Sequence, residues 1–299
     1  MIDGLIASTL SLSVPLILAA LGGVFSVRVG IMALGLESMI LAGAFSAVVG
    51  SYFFSNVFIG IMFGIIGGMI IGFFHGVFCI KYKMNQVISG IGLNLLVVAV
   101  TTLFLQIIWG NKGSSEQVMS LDLKLSIFNK IPILGSIIGT QSIILLFTLI
   151  FCLLGWVLLY KTPFGLRFRF IGENPKAASS VGIEVAKMKY IGVIICGGLA
   201  GLGGAYISID SLNMFVRNMS AGRGYIAVAI AILSRYHPIN VLFAGLLFGF
   251  FEALQIYLQG YGVPSQLMQM IPYIVTLLVL VFGVRNITPP AGVGAHEDD

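Results

Sequence analysis

Two carboxylates, Glu37 and Glu252, interrupt stretches that are otherwise apolar, and a carboxamide, Asn94, stands in the middle of a third. An ionisable side chain in an apolar medium is costly, so it pairs, faces water or does work. Arg28 is the nearest cation to Glu37 along the chain. Gln255, one helical turn past Glu252, offers partial neutralisation, and a wet cavity is the alternative. A purely structural role competes with each: the glutamates would hydrogen-bond helix ends and Asn94 would bond a neighbouring helix. If these carboxylates work, the chemistry is proton or ion coupling rather than bond making. Bond-making constellations are not visible. Cys79, Cys152 and Cys196 are scattered through apolar runs with no C-x-x-C spacing, as small buried hydrophobes are. His75 and His237 stand alone and His296 lies in the C-terminal tail, so no metal-ligand spacing arises. Lys161-Thr162 reproduces the last dipeptide of a phosphate-binding loop, but Tyr160 occupies the place of the required glycine. Residues 222–227, GRGYIA, fit a loose G-x-G-x-x-A pattern but follow no strand, so they are read as coincidence. The expectation is no catalytic residue, no metal and no directly bound cofactor.

The longest polar segment between two apolar runs is 161–190, KTPFGLRFRFIGENPKAASSVGIEVAKMKY. It carries Lys161, Arg167, Arg169, Lys176, Lys187 and Lys189 against Glu173 and Glu184. A basic loop tethered at both ends to membrane helices belongs on the cytoplasmic side. Pro175 sets up a short helix over 175–185, because proline is tolerated at a helix start.

These residues need a scaffold, and composition says which. The chain has 299 residues, 58% hydrophobic and 9% charged, where a soluble domain carries about 25% charged residues. It is an integral membrane protein, and its net charge of +5 is that of basic loops, not of a nucleic-acid surface. No basic residue precedes Arg28, so the first apolar run is read as a retained helix rather than a secretory signal. Runs long enough to span, at about 20 residues each, occupy 5–27, 31–50, 57–80, 87–109, 141–160, 190–209, 240–258 and 267–284. A shorter run, 222–234, is either a ninth span or a broken, re-entrant element. The expected fold is therefore all-α, a polytopic transmembrane helix bundle of about nine spans. It forms one domain over 1–288, with a polar, mobile tail at 289–299. With the N-terminus outside, Arg28, Lys81, Lys83, the six central-loop cations, Arg235 and Arg285 fall inside. Lys112, Lys124, Lys130, Arg217 and Arg223 then fall outside, in keeping with the positive-inside bias. Gly60, Gly64, Gly68, Gly72 and Gly76 recur every fourth residue, and Gly197, Gly201 and Ala205 repeat the device. Such stripes let helices approach closely in lipid. The Gly-interrupted segments 30–43 and 222–238 are where a transporter would place its site. The loop 111–140 is of mixed charge and offers a contact for an external protein or an inert connection.

Several stretches resemble one family. Phe164-Gly165-Leu166-Arg167, Gly172-Glu173-Asn174-Pro175, Ala177-Ala178 and Gly182-Ile183 look like the cytoplasmic coupling loop of ABC-transporter permeases that import simple sugars, branched-chain amino acids and nucleosides. Residues 29–45, the run Asn85-Gln86-Val87-Ile88-Ser89-Gly90 with Leu93-Asn94, and 197–206 are similar to that family's helices. Residues 220–227, His237-Pro238 and 269–273 are closest to its nucleoside branch, and within it to the shorter of two paired permeases. The resemblance implies a coupling site at Gly165, Arg167, Arg169, Gly172, Glu173, Asn174, Pro175 and Lys176, docked on a cytoplasmic ATP-binding subunit that uses the ATP. It also implies a longer permease paralogue, an external substrate-binding lipoprotein and residence in a bacterial cytoplasmic membrane. Glu37, Asn94, Tyr225 and Glu252 are then candidates for the substrate pathway, and Phe45, Tyr225 or Tyr273 could stack on a nucleobase. A permease for a sugar or branched-chain amino acid is the alternative. From a different class, an ion-coupled secondary transporter would use Glu37 and Glu252 as coupling carboxylates and need no ATPase.

Overall fold

The computed structural model describes residues 2–121, 139, 141–259, 268, 270–283 and 289–295. Among these the chain forms α1 (Ile2–Arg28), α2 (Leu36–Phe54), α3 (Val57–Gly76), α4 (Gln86–Trp109), α5 (Ile143–Lys161), α6 (Pro163–Glu173) and α7 (Pro175–Ser180). There follow α8 (Val185–Ala205), α9 (Arg223–Leu233), α10 (Pro238–Gln259) and α11 (Ile271–Gly283). No strand occurs among the described residues, and seven of the helices are long and apolar enough to cross a membrane. Much of the loop 111–140, the start of the last apolar run, Arg285 and His296 lie outside the described residues.

Several helices start where a side chain takes over an orphan backbone donor. Asn56 accepts from Phe58 N at 2.9 Å, Asn85 from Val87 N at 2.8 Å and Ser142 from Ile144 N at 3.4 Å. Burial then sorts inner helices from outer ones. The apolar windows of α1, α2 and α8 are 83%, 72% and 78% buried, whereas those of α3, α4 and α5 are each 28% buried. The second group turns Phe58, Ile66, Leu95, Leu103 and Leu153 outward, as a lipid-facing layer does.

The glycine stripes are where α3 meets the inner layer. A Cβ on Gly68 would strike the Gly197 carbonyl oxygen and lie 2.7 Å from Gly201 Cα, and one on Gly72 would lie 2.6 Å from the Val193 oxygen. Both neighbours are backbone and cannot step aside. Gly92 on α4, by contrast, meets nothing within 4 Å. Gly68→Ala is therefore expected to lower the melting temperature of the detergent-purified protein, an overpacking cost of about 1–3 kcal/mol. Gly92→Ala should be neutral or stabilising, because alanine is the better helix former. Equal melting temperatures for the two variants would refute the close packing.

Two stretches break the helical pattern, and both matter for the site. The apolar run expected to span from residue 31 begins its helix only at Leu36, because 29–35 is non-helical. Its backbone is satisfied by side chains instead. Ser26 Oγ donates to Ile31 O at 2.7 Å, Gln86 accepts from Met32 N at 2.8 Å and donates to Gly30 O at 3.2 Å, and His75 Nε2 lies 3.2 Å from Met32 O. The second break precedes α9. The eleven residues of α9 reach about 16 Å, half of a hydrocarbon core of about 30 Å. Residues 212–222 make up the rest of that passage in irregular chain, paired with 113–118 through Ser115 N→Phe215 O (2.9 Å), Val118 N→Asn213 O (2.8 Å) and Arg217 N→Gly113 O (2.8 Å). Irregular backbone at this depth is tolerated only where protein covers it.

Candidate functional site

The first turn of α9 collects the polar residues that the apolar sequence scatters. Ala221 and Gly222 take left-handed conformations, at φ 46° and 83°, and aim the opening N–H groups of the helix across the bundle. Glu37, at the start of α2, receives them. Gly222 N donates to Oε1 at 2.8 Å and Gly224 N to Oε2 at 2.7 Å. A Cβ on Gly224 would fall 2.5 Å from Glu37 Cα, so the close approach requires glycine there. The expected pairing of Glu37 with Arg28 does not form, because 29–35 carries the two apart. Arg28 turns to the basic end of the bundle, donating to Tyr160 Oη at 2.9 Å and to Tyr236 O at 3.0 Å.

Asn94 ties α4 to the same place. Its Oδ1 accepts from Ser38 N at 3.0 Å, and its Nδ2 donates to Tyr225 Oη at 2.9 Å and to Leu34 O at 3.4 Å. Glu252, on α10, faces Arg223 at 3.5 Å, and Gln255 lines the cavity beside them. Tyr273 Oη donates to Ala221 O at 3.2 Å. Glu37, Asn94, Tyr225 and Glu252 therefore surround one helix start. Phe45 does not join them; it packs edge-on against Phe215, with centroids 5.2 Å apart. Arg223 is the residue that sequence reasoning misplaced. Counted as an outer-edge cation, it sits within the bundle against Glu252. A lone arginine opening one apolar run and a lone carboxylate in the next was the available signal.

The central basic segment forms a second candidate site. Pro163 and Pro175 open two helices, each capped from the residue before: Thr162 Oγ1 accepts from Gly165 N at 3.3 Å and Asn174 Oδ1 from Ala177 N at 3.0 Å. The helix expected over 175–185 is shorter, Pro175–Ser180, and α6 precedes it. Gly165, Gly172 and Pro175 are buried, whereas Arg167, Glu173, Asn174 and Lys176 are exposed. Arg169 stacks on the Tyr160 ring, 4.8 Å from its centroid. Burial, and then the Arg28 guanidinium, push the pKa of the nearby His237 ring below its ordinary value. Leu166, 61% exposed, and Phe170, 36% exposed, share one face of α6 with Glu173 at helical spacing.

The C-terminal segment expected to be mobile is seated on this pair over 289–295. Gly292 N donates to Gly172 O at 2.8 Å, Ala291 N to Glu173 Oε2 at 3.3 Å and Gly294 N to Gly30 O at 3.1 Å, while Lys189 Nζ donates to Ala295 O at 2.9 Å. Each such bond is worth about 0.5–1.5 kcal/mol. Deleting 289–299 is expected to speed tryptic cleavage at Arg169 and Lys176 severalfold; an unchanged digestion rate would show that the strap holds nothing.

The chain resembles transport proteins along nearly its whole length. The guanosine ABC transporter permease protein NupQ of Bacillus subtilis is 36% identical, over 97% of this chain and 95% of its own. The nucleoside ABC transporter permease protein NupC of Lactococcus lactis subsp. cremoris is 34% identical, over 98% and 96%. An inward-facing metal-chelate type ABC transporter of known structure superposes with a TM-score of 0.51 at 16% identity, covering 93% of this chain and 86% of that one; this likeness concerns the fold alone. The family model for the permease component of the branched-chain amino acid transport system matches residues 5–280, and with these relatives it shows that the chain belongs to that ABC-transporter permease family.

Proposed function

We propose that this multi-pass membrane protein is the permease subunit of an ATP-driven importer of nucleosides in a bacterial cytoplasmic membrane. The observation that carries the reading is the α6–α7 pair. It presents an apolar and charged face to solvent, while its opposite face is fixed to α1, α5 and the C-terminal strap. A partner gripping that face moves the ends of several spanning helices together. The partner is a cytoplasmic ATP-binding subunit, which hydrolyses the ATP. A second permease completes the pathway, and an external binding lipoprotein delivers the substrate. The nucleoside preference rests on the named activities of the two relatives. The ion-coupled reading loses one of its two carboxylates, since both oxygens of Glu37 are engaged by backbone donors.

Co-expression with the candidate ATPase and second permease, purification and reconstitution in proteoliposomes tests the reading. ATPase activity stimulated by nucleoside, with ATP-dependent nucleoside uptake, is the expected result. Stimulation by a sugar or a branched-chain amino acid instead would reassign the substrate, and partnerless uptake driven by a proton gradient would overturn the mechanism.

A further inference from the structure

Beside the first turn of α9 lies a cavity of about 300 Å³, toward the small end of ligand pockets, which run from about 300 to 1,000 Å³. Arg223 and Ile226 form one wall, Glu252 and Gln255 of α10 a second, and Pro272 and Tyr273 of α11 a third. Its charges cancel: one guanidinium and one carboxylate are the only charged groups among the described lining residues.

The polar atoms there are not used up. Glu252 is 8% exposed, yet its Oε2 has no hydrogen-bond partner, and neither has the Nε of Arg223. The two face each other at 3.5 Å, long for a hydrogen bond. A buried donor and a buried acceptor left side by side with spare capacity are costly to the empty protein. Both atoms are closed off while the ion pair stands; a ligand that parts the two side chains and presents a donor next to an acceptor would satisfy both. Nucleobase edges have that alternation, with a ring N–H or amine beside a carbonyl oxygen or ring nitrogen. Tyr273, 48% exposed, and the apolar Ile226 and Pro272 offer flat or aliphatic walls to a base face. A phosphorylated ligand, by contrast, would need an excess of positive charge, which the lining lacks.

We infer that this cavity is a substrate subsite that reads the hydrogen-bonding edge of an uncharged nucleoside. Glu252 accepts from the base N–H or amine, Arg223 donates to the adjacent acceptor, and Tyr273 covers the ring. The inference rests on the nucleoside-importer reading, and the experiment separates the two.

Equilibrium dialysis of labelled uridine against the purified permease–ATPase complex, without any delivery protein, measures the subsite. Competitors are 3-methyluridine, whose edge N–H is blocked, 3′-deoxyuridine, whose sugar is altered, and uridine monophosphate. The expected result is that 3-methyluridine and the monophosphate compete about tenfold less well than uridine, while 3′-deoxyuridine competes equally. Glu252→Gln should weaken uridine binding by a similar factor and leave 3-methyluridine where it was. Equal competition by 3-methyluridine in the unaltered complex overturns the subsite, whatever the variant does. So does a sensitivity to the sugar alone, or a folded Glu252→Gln complex that retains uridine affinity. ATP-dependent uptake, run in parallel with the delivery protein present, tells the failures apart. Uptake without edge dependence removes the subsite only, and absent nucleoside uptake removes the importer reading and the subsite with it.

Discussion

Glu37→Ala is expected to abolish substrate uptake while the protein still inserts and still binds the proposed ATPase. The carboxylate takes two opening N–H groups of α9, from Gly222 and Gly224, at 2.8 and 2.7 Å. An orphaned buried donor costs about 1–3 kcal/mol, so the pair is worth about 2–6 kcal/mol against a total stability of about 5–15 kcal/mol. The carboxylate also lies at the positive end of the helix dipole, which adds to its hold. The chain escapes the penalty most cheaply by letting the left-handed turn at Ala221–Gly222 swing away. That motion carries Arg223 from Glu252, releases Tyr273 from Ala221 O and breaks the Tyr225–Asn94 bond. Glu37→Gln keeps one acceptor but turns its amide NH2, a donor, toward the other N–H, so it should retain a fraction of uptake. Glu37→Asp is one methylene short and should resemble alanine. Uptake in proteoliposomes gives the order Glu, Gln, then Asp and Ala. Hydrogen exchange at residues 222–224 should rise in the same order. Normal uptake by Glu37→Ala would mean that α9 needs no carboxylate to hold its start.

The spanning helices were legible because their signal is local: about 20 apolar residues in a row. The glycine stripe was legible for the same reason, and the structure puts Gly64, Gly68 and Gly72 against Ala205, Gly197 and Val193. The break at 29–35 was not. Ile31-Met32-Ala33-Leu34 is as apolar as any helix here, and what unravels it are side chains far along the chain, Gln86, His75 and Asn94. Glu37 and Glu252 were recognisable as exceptions because buried charge is rare, but their partners lie 185 to 187 residues away for Glu37. Arg223 was hidden by its position at the edge of a short run, where a cation reads as a loop residue. The strap escaped notice because Gly292 and Gly294 contribute backbone donors, and a backbone donor leaves no trace in composition.

Phe170→Asp, alone or with Leu166→Asp, is expected to detach the proposed ATPase subunit without unfolding the permease. The two side chains are 36% and 61% exposed, so charging them costs the isolated bundle little; surface substitutions usually stay within about 0.5 kcal/mol. Phe168, two residues from each of them and fully buried, is the contrasting control, since its loss opens the core under the helix and costs about 3–5 kcal/mol. An aromatic at the centre of an interface typically contributes at least about 2 kcal/mol, or roughly 30-fold in affinity. A carboxylate in its place must also be desolvated against whatever apolar pocket received the ring. Phe170→Asp should therefore leave the melting temperature of the purified permease unchanged, while co-purification of the ATPase and nucleoside-stimulated hydrolysis fall by at least that factor. Phe168→Ala should lower the melting temperature first and lose the ATPase only as a consequence. The two variants separate a docking face from a structural one: both would lower stability if α6 were merely packed against the bundle, and neither would release the ATPase if the grip lay elsewhere on the basic end.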